Sequence, residues 1–266
     1  MSMRATVPIC NSMYSFHRLM KAGKLDTLGV PKLCADLGIE LLEVNPTYLP
    51  TDEPGLQRFE RALEEAGCGV LQMTCDFPLC RMDEAERKAT VEEVRRWAEV
   101  ANRLGAATIR CNIGRKFDED MEQGTGEVVR SFKEIVSFCK DLGLVAVIEN
   151  THGPHTGNAD AILRIIEEVG SDSLGTCPDF GNFPEDVRYD SLVRVAPYAA
   201  HVHAKTLKLD AKGNETTYDL PRCVQIFREI GYQGAWGIEF EGEFDEVVAD
   251  EIAGVRMTRQ LLESLL

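Results

Sequence analysis

Short apolar runs alternate with longer segments of helical period from one end of the chain to the other. The apolar runs cover residues 6–10, 39–45, 69–75, 107–112, 144–149, 174–179, 199–205 and 235–241. The helical segments cover 25–37, 53–66, 84–104, 121–142, 159–169, 184–195, 220–230 and 246–265. Within 84–104, Val91, Val94, Ala98, Ala101 and Leu104 recur at the three-to-four spacing of a buried helix face. Gly38, Gly67, Gly105, Gly143, Gly170 and Gly231 each follow the last residues of a helical segment, where glycine takes the left-handed cap conformation at little cost. Strands that alternate with helices pair in parallel. Eight such units in 266 residues, with no polar linker between them, predict a single closed (β/α)8 barrel domain over residues 1–266. No GxGxxG follows the first apolar run, which argues against an open dinucleotide-binding sheet.

Four of the later apolar runs end on side chains that bind metals or move protons. They are Ile148-Glu149-Asn150, Cys177-Pro178-Asp179, His201-Val202-His203-Ala204-Lys205 and Gly237-Ile238-Glu239. In a barrel the carboxyl ends of all strands meet at one mouth, so Glu149, Asp179, His203 and Glu239 are expected to face one another. Three carboxylates at close range repel unless something neutralises them. A divalent cation does so. Three oxygen donors and an imidazole suit Mn²⁺ or Mg²⁺ and accept Co²⁺ or Zn²⁺, whereas a structural zinc site would more often use Cys. Taken singly, each residue also has a plainer reading. Glu149 could be solvated, Asp179 could begin a turn, and His201 or His203, which share one strand face, could be packed in the core.

Charge and composition narrow the partners. The net charge is −15 and the isoelectric point about 4.8, so the surface repels phosphate backbones and no nucleic-acid partner is expected. No apolar run approaches the ~20 residues that span a bilayer, so no membrane partner is expected either. The first ten residues, with one basic residue and a Pro, do not resemble a signal peptide. Nine cysteines with no Cys-x-x-Cys pair fit buried free thiols in a cytoplasmic protein. A homo-oligomer stays open.

The same four segments resemble the xylose-isomerase-like TIM barrels, a family that includes ketose 3-epimerases, hydroxypyruvate isomerase, inosose dehydratase and the endonuclease IV group. The resemblance covers nearly the whole chain in strand order and helix length and is most specific over the last four strands. It implies a Glu, Asp, His, Glu shell around one divalent metal, here Glu149, Asp179, His203 and Glu239. It also implies proton abstraction next to a carbonyl through an enediolate, with Glu149 and Glu239 as acid/base groups on opposite sides of a small sugar or polyol. Glu43, where relatives often place a substrate-binding acid, Arg110, His152 and Lys205 are further candidates for substrate contact by position, while His155 is expected to be solvated. Two departures stand out. Asn182 occupies a position where many relatives have His, and Thr206 one where they often have Asp. Asn can hydrogen-bond a sugar hydroxyl but cannot shuttle a proton at neutral pH.

The leading expectation is therefore a metal-dependent sugar or polyol isomerase/epimerase. A dehydratase or lyase on a cyclic polyol or keto acid uses the same enediolate. A DNA-repair nuclease of the endonuclease IV type ranks last, because it needs extra His ligands that strands two to four do not supply. A non-catalytic sugar-binding barrel is the remaining alternative.

Overall fold

The computed structural model describes residues 7–114, 121–151, 153 and 155–266. Eight strands form the barrel: β1 (Ile9–Ser12), β2 (Leu41–Val44), β3 (Gly69–Cys75), β4 (Thr108–Cys111), β5 (Val145–Glu149), β6 (Leu174–Cys177), β7 (Val202–Thr206) and β8 (Trp236–Phe240). Strands β1 to β6 pair in parallel in chain order, and β8 pairs with both β1 and β7. The seam between β6 and β7 is thinner. It holds two bridges, Thr176 to Ala199 and Asp179 to His203. There His203 N–H donates to Pro178 O at 2.9 Å, and Phe180 N–H donates to His203 O at 3.0 Å. The ring thus closes on two residues singled out for chemistry.

The helices around the barrel are α1 (His17–Lys21), α2 (Val30–Asp36), α3 (Glu53–Ala66), α4 (Glu84–Arg103), α5 (Met121–Asp141), α6 (Ala159–Val169), α7 (Arg188–Val195), α8 (Leu220–Glu229) and α9 (Glu251–Leu265). Their amphipathic faces supply the core. Ile162, Ile165, Ile166 and Val169 of α6 are buried, as are Leu56, Phe59 and Leu63 of α3. Side chains of Asp83, Asn158, Asp219 and Asp250 accept from a first-turn N–H of α4, α6, α8 and α9, each satisfying a donor that the helix cannot. The six glycines expected to stop helices all have positive φ, from 63° at Gly170 to 76° at Gly105.

Boundaries moved where polar side chains turn inward. The first strand, expected over 6–10, runs over Ile9–Ser12. Its last residues, Asn11 and Ser12, are buried, so an apolar pattern could not mark them. The helix expected over 25–37 begins as a 3-10 turn at Thr27–Gly29 before α2. The short α1 has no buried residue to give it a periodic signal, and it was not expected. The last helix begins at Glu251 rather than 246, behind the Asp250 cap.

Candidate metal centre and active site

Glu149 ends β5, His203 sits in β7 and Glu239 in β8, while Asp179 stands two residues beyond β6. One ligand atom from each of the four lies within 4.8 Å of the others, and all four residues are buried. The barrel therefore brings together the whole set of predicted metal ligands.

Local geometry aims each group. Asn150 clamps the Asp179 backbone: its Oδ1 accepts Asp179 N–H at 2.6 Å and its Nδ2 donates to Asp179 O at 2.9 Å. Asp179 Oδ1 accepts Gly181 N–H at 2.7 Å and Asn182 N–H at 3.1 Å, which turns Oδ2 toward the cluster. His203 Nδ1 lies 2.8 Å from Glu149 Oε1 and 3.4 Å from Glu239 Oε2. Arg110 forks between Glu149 Oε2 and Asp76 Oδ1, both at 2.5 Å. Lys205 Nζ lies 3.2 Å from Asp179 Oδ2, 3.4 Å from Glu239 Oε2 and 2.7 Å from Glu241 Oε1, and donates to Asn182 Oδ1 at 2.9 Å. Substituting Asn150→Ala removes two buried hydrogen bonds and should cost about 1–3 kcal/mol in urea unfolding, with weaker metal uptake measured in parallel.

The electrostatics fit a cation. Asp179 Oδ2 and Glu239 Oε2 are buried oxygens that accept no hydrogen bond from the described residues. Burial pushes the Asp179 carboxyl well up. The Lys205 charge opposes this, while the Glu239 and Glu149 charges add to it. Burial also works against a charged Glu239, but Lys205 and His203 overcome it and hold that carboxyl well below its usual range. Two adjacent carboxylates driven in opposite directions are a pair that cannot both stay charged without more positive charge. A buried donor set of three carboxylates and one imidazole, two of its oxygens with ion-pair contacts to Lys205 but no hydrogen bond, suits one divalent ion.

A cavity of about 350 Å³ opens onto these groups, and Glu149, Glu239, Arg110, Asn182 and Lys205 are in its lining. Of the substrate-contact candidates, Arg110, Asn182 and Lys205 thus reach the cavity. His152 lies outside the described residues. Glu43 is a correction: it does not line the cavity but is fully buried inside the barrel. The strand register shifts between Leu42 and Glu43, and Glu43 comes level with Gln72 of β3, two residues before Asn45, which lines the cavity. His155 is a second correction, since it is buried rather than solvated. Thr151 N–H donates to Thr156 Oγ1 at 3.1 Å, and the His155 ring meets Thr125 Oγ1 of α5 at 3.0 Å.

Among the lining residues not singled out from the sequence are Asn45, Asp76 and Glu241. Each is the first residue after its strand, β2, β3 and β8 respectively. Asn45 and Glu241 close the apolar runs 39–45 and 235–241, and Asp76 follows the run 69–75, so the rule that marked Glu149, a polar side chain at a strand's carboxyl end, points to them too.

A parallel barrel with acids and an imidazole gathered at its carboxyl-end mouth defines a class of (β/α)8 proteins that carry their chemistry on the strand ends. The chain belongs to the xylose isomerase-like TIM barrel family, whose model matches residues 31–263. Among curated relatives, the C-glycoside deglycosidase alpha subunit of Microbacterium trichothecenolyticum is 29% identical over 151 residues, 46% of this chain and 41% of that protein. The match thus spans less than half the length of that relative. The L-ribulose-5-phosphate 3-epimerase UlaE of Escherichia coli O157:H7 is 25% identical over 210 residues, 73% of this chain and 72% of that protein. The solved structure of an L-ribulose 3-epimerase superimposes with a TM-score of 0.77 at 17% identity, covering 98% of this chain and 95% of that one, a likeness of fold.

Proposed function

We propose that this protein is a divalent-metal-dependent epimerase or isomerase of a small sugar or polyol. The observation that carries the reading is the convergence of Glu149, Asp179, His203 and Glu239 at a cavity into which Glu149 and Glu239 both open. The 3-epimerase UlaE, matched over about three quarters of this chain, supports the same class of chemistry.

Glu149, Asp179, His203 and Glu239 would hold the ion, and Mn²⁺ or Mg²⁺ suits the oxygen-rich set better than Co²⁺ or Zn²⁺. Once bound, such an ion supplies polarisation of a carbonyl and its neighbouring hydroxyl, which acidifies the carbon-bound proton between them. The chain's own residues do the rest. Glu149 and Glu239 stand on strands three places apart in the ring of eight, so a substrate lying between them presents a different face to each. Proton removal by one leaves an enediolate, and return from the other inverts that carbon. Glu239, held charged by Lys205 and His203, is suited to accept the proton. Arg110 orients Glu149 through Oε2, and Lys205 with Asn182 is placed to hold substrate oxygens. Asn182 has no proton to shuttle, so proton traffic rests on the two glutamates.

A panel of ketoses and polyols incubated with the Mn²⁺-loaded protein in D₂O tests this directly. NMR should show deuterium entering at a carbon next to the carbonyl together with an epimer or isomer of one panel member. A metal-loaded protein that exchanges no carbon-bound proton in any of them refutes the proposal.

A further inference from the structure

Beneath the cavity the barrel interior holds a second polar layer built on Glu43. This carboxylate is fully buried and accepts from four sides. Its Oε1 lies 2.8 Å from His201 Nε2 and 3.3 Å from Cys10 Sγ. Its Oε2 lies 2.8 Å from His203 Nε2 and 3.1 Å from Gln72 Nε2. Turning the Gln72 carbonyl toward Glu43 would set two acceptors against each other, and in the orientation present the Thr108 hydroxyl donates to Gln72 Oε1 at 3.0 Å. The space is reserved as well. A Cβ on Gly237 of β8 would lie 2.4 Å from Glu43 Oε1 and 2.7 Å from His201 Nε2, so any side chain there would displace the carboxylate.

The two ring nitrogens of His203 therefore have separate duties. Nδ1 faces Glu149 and Glu239 in the ligand cluster, and Nε2 faces Glu43. We propose that Glu43 is the positioning residue of the metal centre: by accepting from His203 Nε2–H it fixes the tautomer and ring orientation that direct the Nδ1 lone pair at the ion. This inference rests on the reading of His203 as a metal ligand. A ligating imidazole whose other N–H is anchored on a carboxylate is held in place and made a better donor. Glu43 acts on the ion only through His203, and it touches neither cavity nor substrate. His201 shares the carboxylate and occupies Oε1, which leaves Oε2 for His203.

The conservative variant Glu43→Gln separates this role from bulk. Glutamine keeps the volume but offers one carbonyl oxygen where Glu43 offers two, and it turns an NH₂ toward one imidazole. An NH₂ facing His203 Nε2 requires that nitrogen to be bare and moves the proton to Nδ1, against ligation. Mn²⁺ binding by calorimetry should weaken about 10–100-fold in Glu43→Gln. In the Co²⁺-loaded wild type, the His203 Nε2–H should give a hyperfine-shifted proton signal that exchanges slowly with solvent, and in the variant it should shift or vanish. Glu43→Asp, which keeps the charge but is too short to reach both imidazoles, should lose affinity too and serves if the Gln variant does not fold. Cys10→Ser disturbs the same layer while leaving the Glu43–His203 contact, and should bind Mn²⁺ as the wild type does. Wild-type Mn²⁺ affinity in both Glu43 variants overturns the proposal while the metal centre stands, and so does an equal loss in Cys10→Ser. A wild type that takes up no Mn²⁺, Mg²⁺ or Co²⁺ fails the metal reading itself.

Discussion

Glu149→Gln and Glu239→Gln should each leave a folded barrel with turnover reduced by about 10²–10⁴-fold, the range that positioned acid/base groups contribute. The exchange is nearly isosteric and, on the proposed mechanism, removes both a proton acceptor and a charged metal ligand. The two losses should differ in kind. Glu149 also binds Arg110 and His203, so Glu149→Gln frees the Arg110 fork that now joins it to Asp76. Glu239 stands beside Lys205 and His203 but accepts no hydrogen bond at Oε2 from the described residues, so its replacement disturbs less of the surroundings. Kinetics at saturating Mn²⁺ separate the ligand role from the proton role. If added metal restores wild-type rates to either variant, that glutamate is a ligand only. Single-turnover exchange in D₂O discriminates further. A variant that still washes out the carbon-bound proton but gives no epimer has lost the return step rather than the abstraction.

The fold and the convergence of the four candidate ligands were legible in the sequence because both rest on repetition. Most strands are buried apolar runs, six helical segments stop at a Gly, and Glu149, Asp179, His203 and Glu239 fall at or near the carboxyl ends of four successive apolar runs. What escaped lies where the barrel interior is polar. A buried Asn11, Gln72 or Glu43 breaks the apolar pattern without marking a rim, so β1 was displaced and Glu43 was placed one layer too high. Residues two apart on a strand share a face, and sequence alone does not say which of Glu43 and Asn45 is level with the mouth. The structure decides it: Glu43 is fully buried, while Asn45 lines the cavity. Asp76 and Glu241 also have a role that the strand-end rule does not show. Their importance lies in the cations they engage, Arg110 and Lys205, and those pairings cross from strand to strand.

Asp179→Asn should invert the usual relation between a site residue and stability. In the metal-free protein Asp179 is fully buried, and burial together with the Glu239 and Glu149 charges outweighs the Lys205 ammonium 3.2 Å from Oδ2, so its carboxyl is pushed well up. Asparagine can keep the Oδ1 bonds to Gly181 and Asn182 while removing that charge. Asp179 has a raised pKa in the folded state. Its contribution is therefore fully present below the ordinary Asp value and is lost as pH rises through the raised one. Metal-free wild type should thus lose stability on going from mildly acidic to neutral pH at this site, and metal-free Asp179→Asn should not. The loaded proteins should rank the other way. At a free metal concentration of 100 times Kd the wild type gains about 2.7 kcal/mol, and EDTA takes it away. For a chain of this size that is a fall in Tm of about 5–10 °C. Asp179→Asn, short of one charged ligand, should show little response to either metal or EDTA. Calorimetric melts of both proteins, with Mn²⁺ and with EDTA at two pH values, give all four comparisons. A wild type that melts higher in EDTA than in Mn²⁺ would be incompatible with a metal bound to the folded barrel, and a metal-free Asp179→Asn less stable than metal-free wild type at neutral pH would show that the buried carboxylates are already compensated.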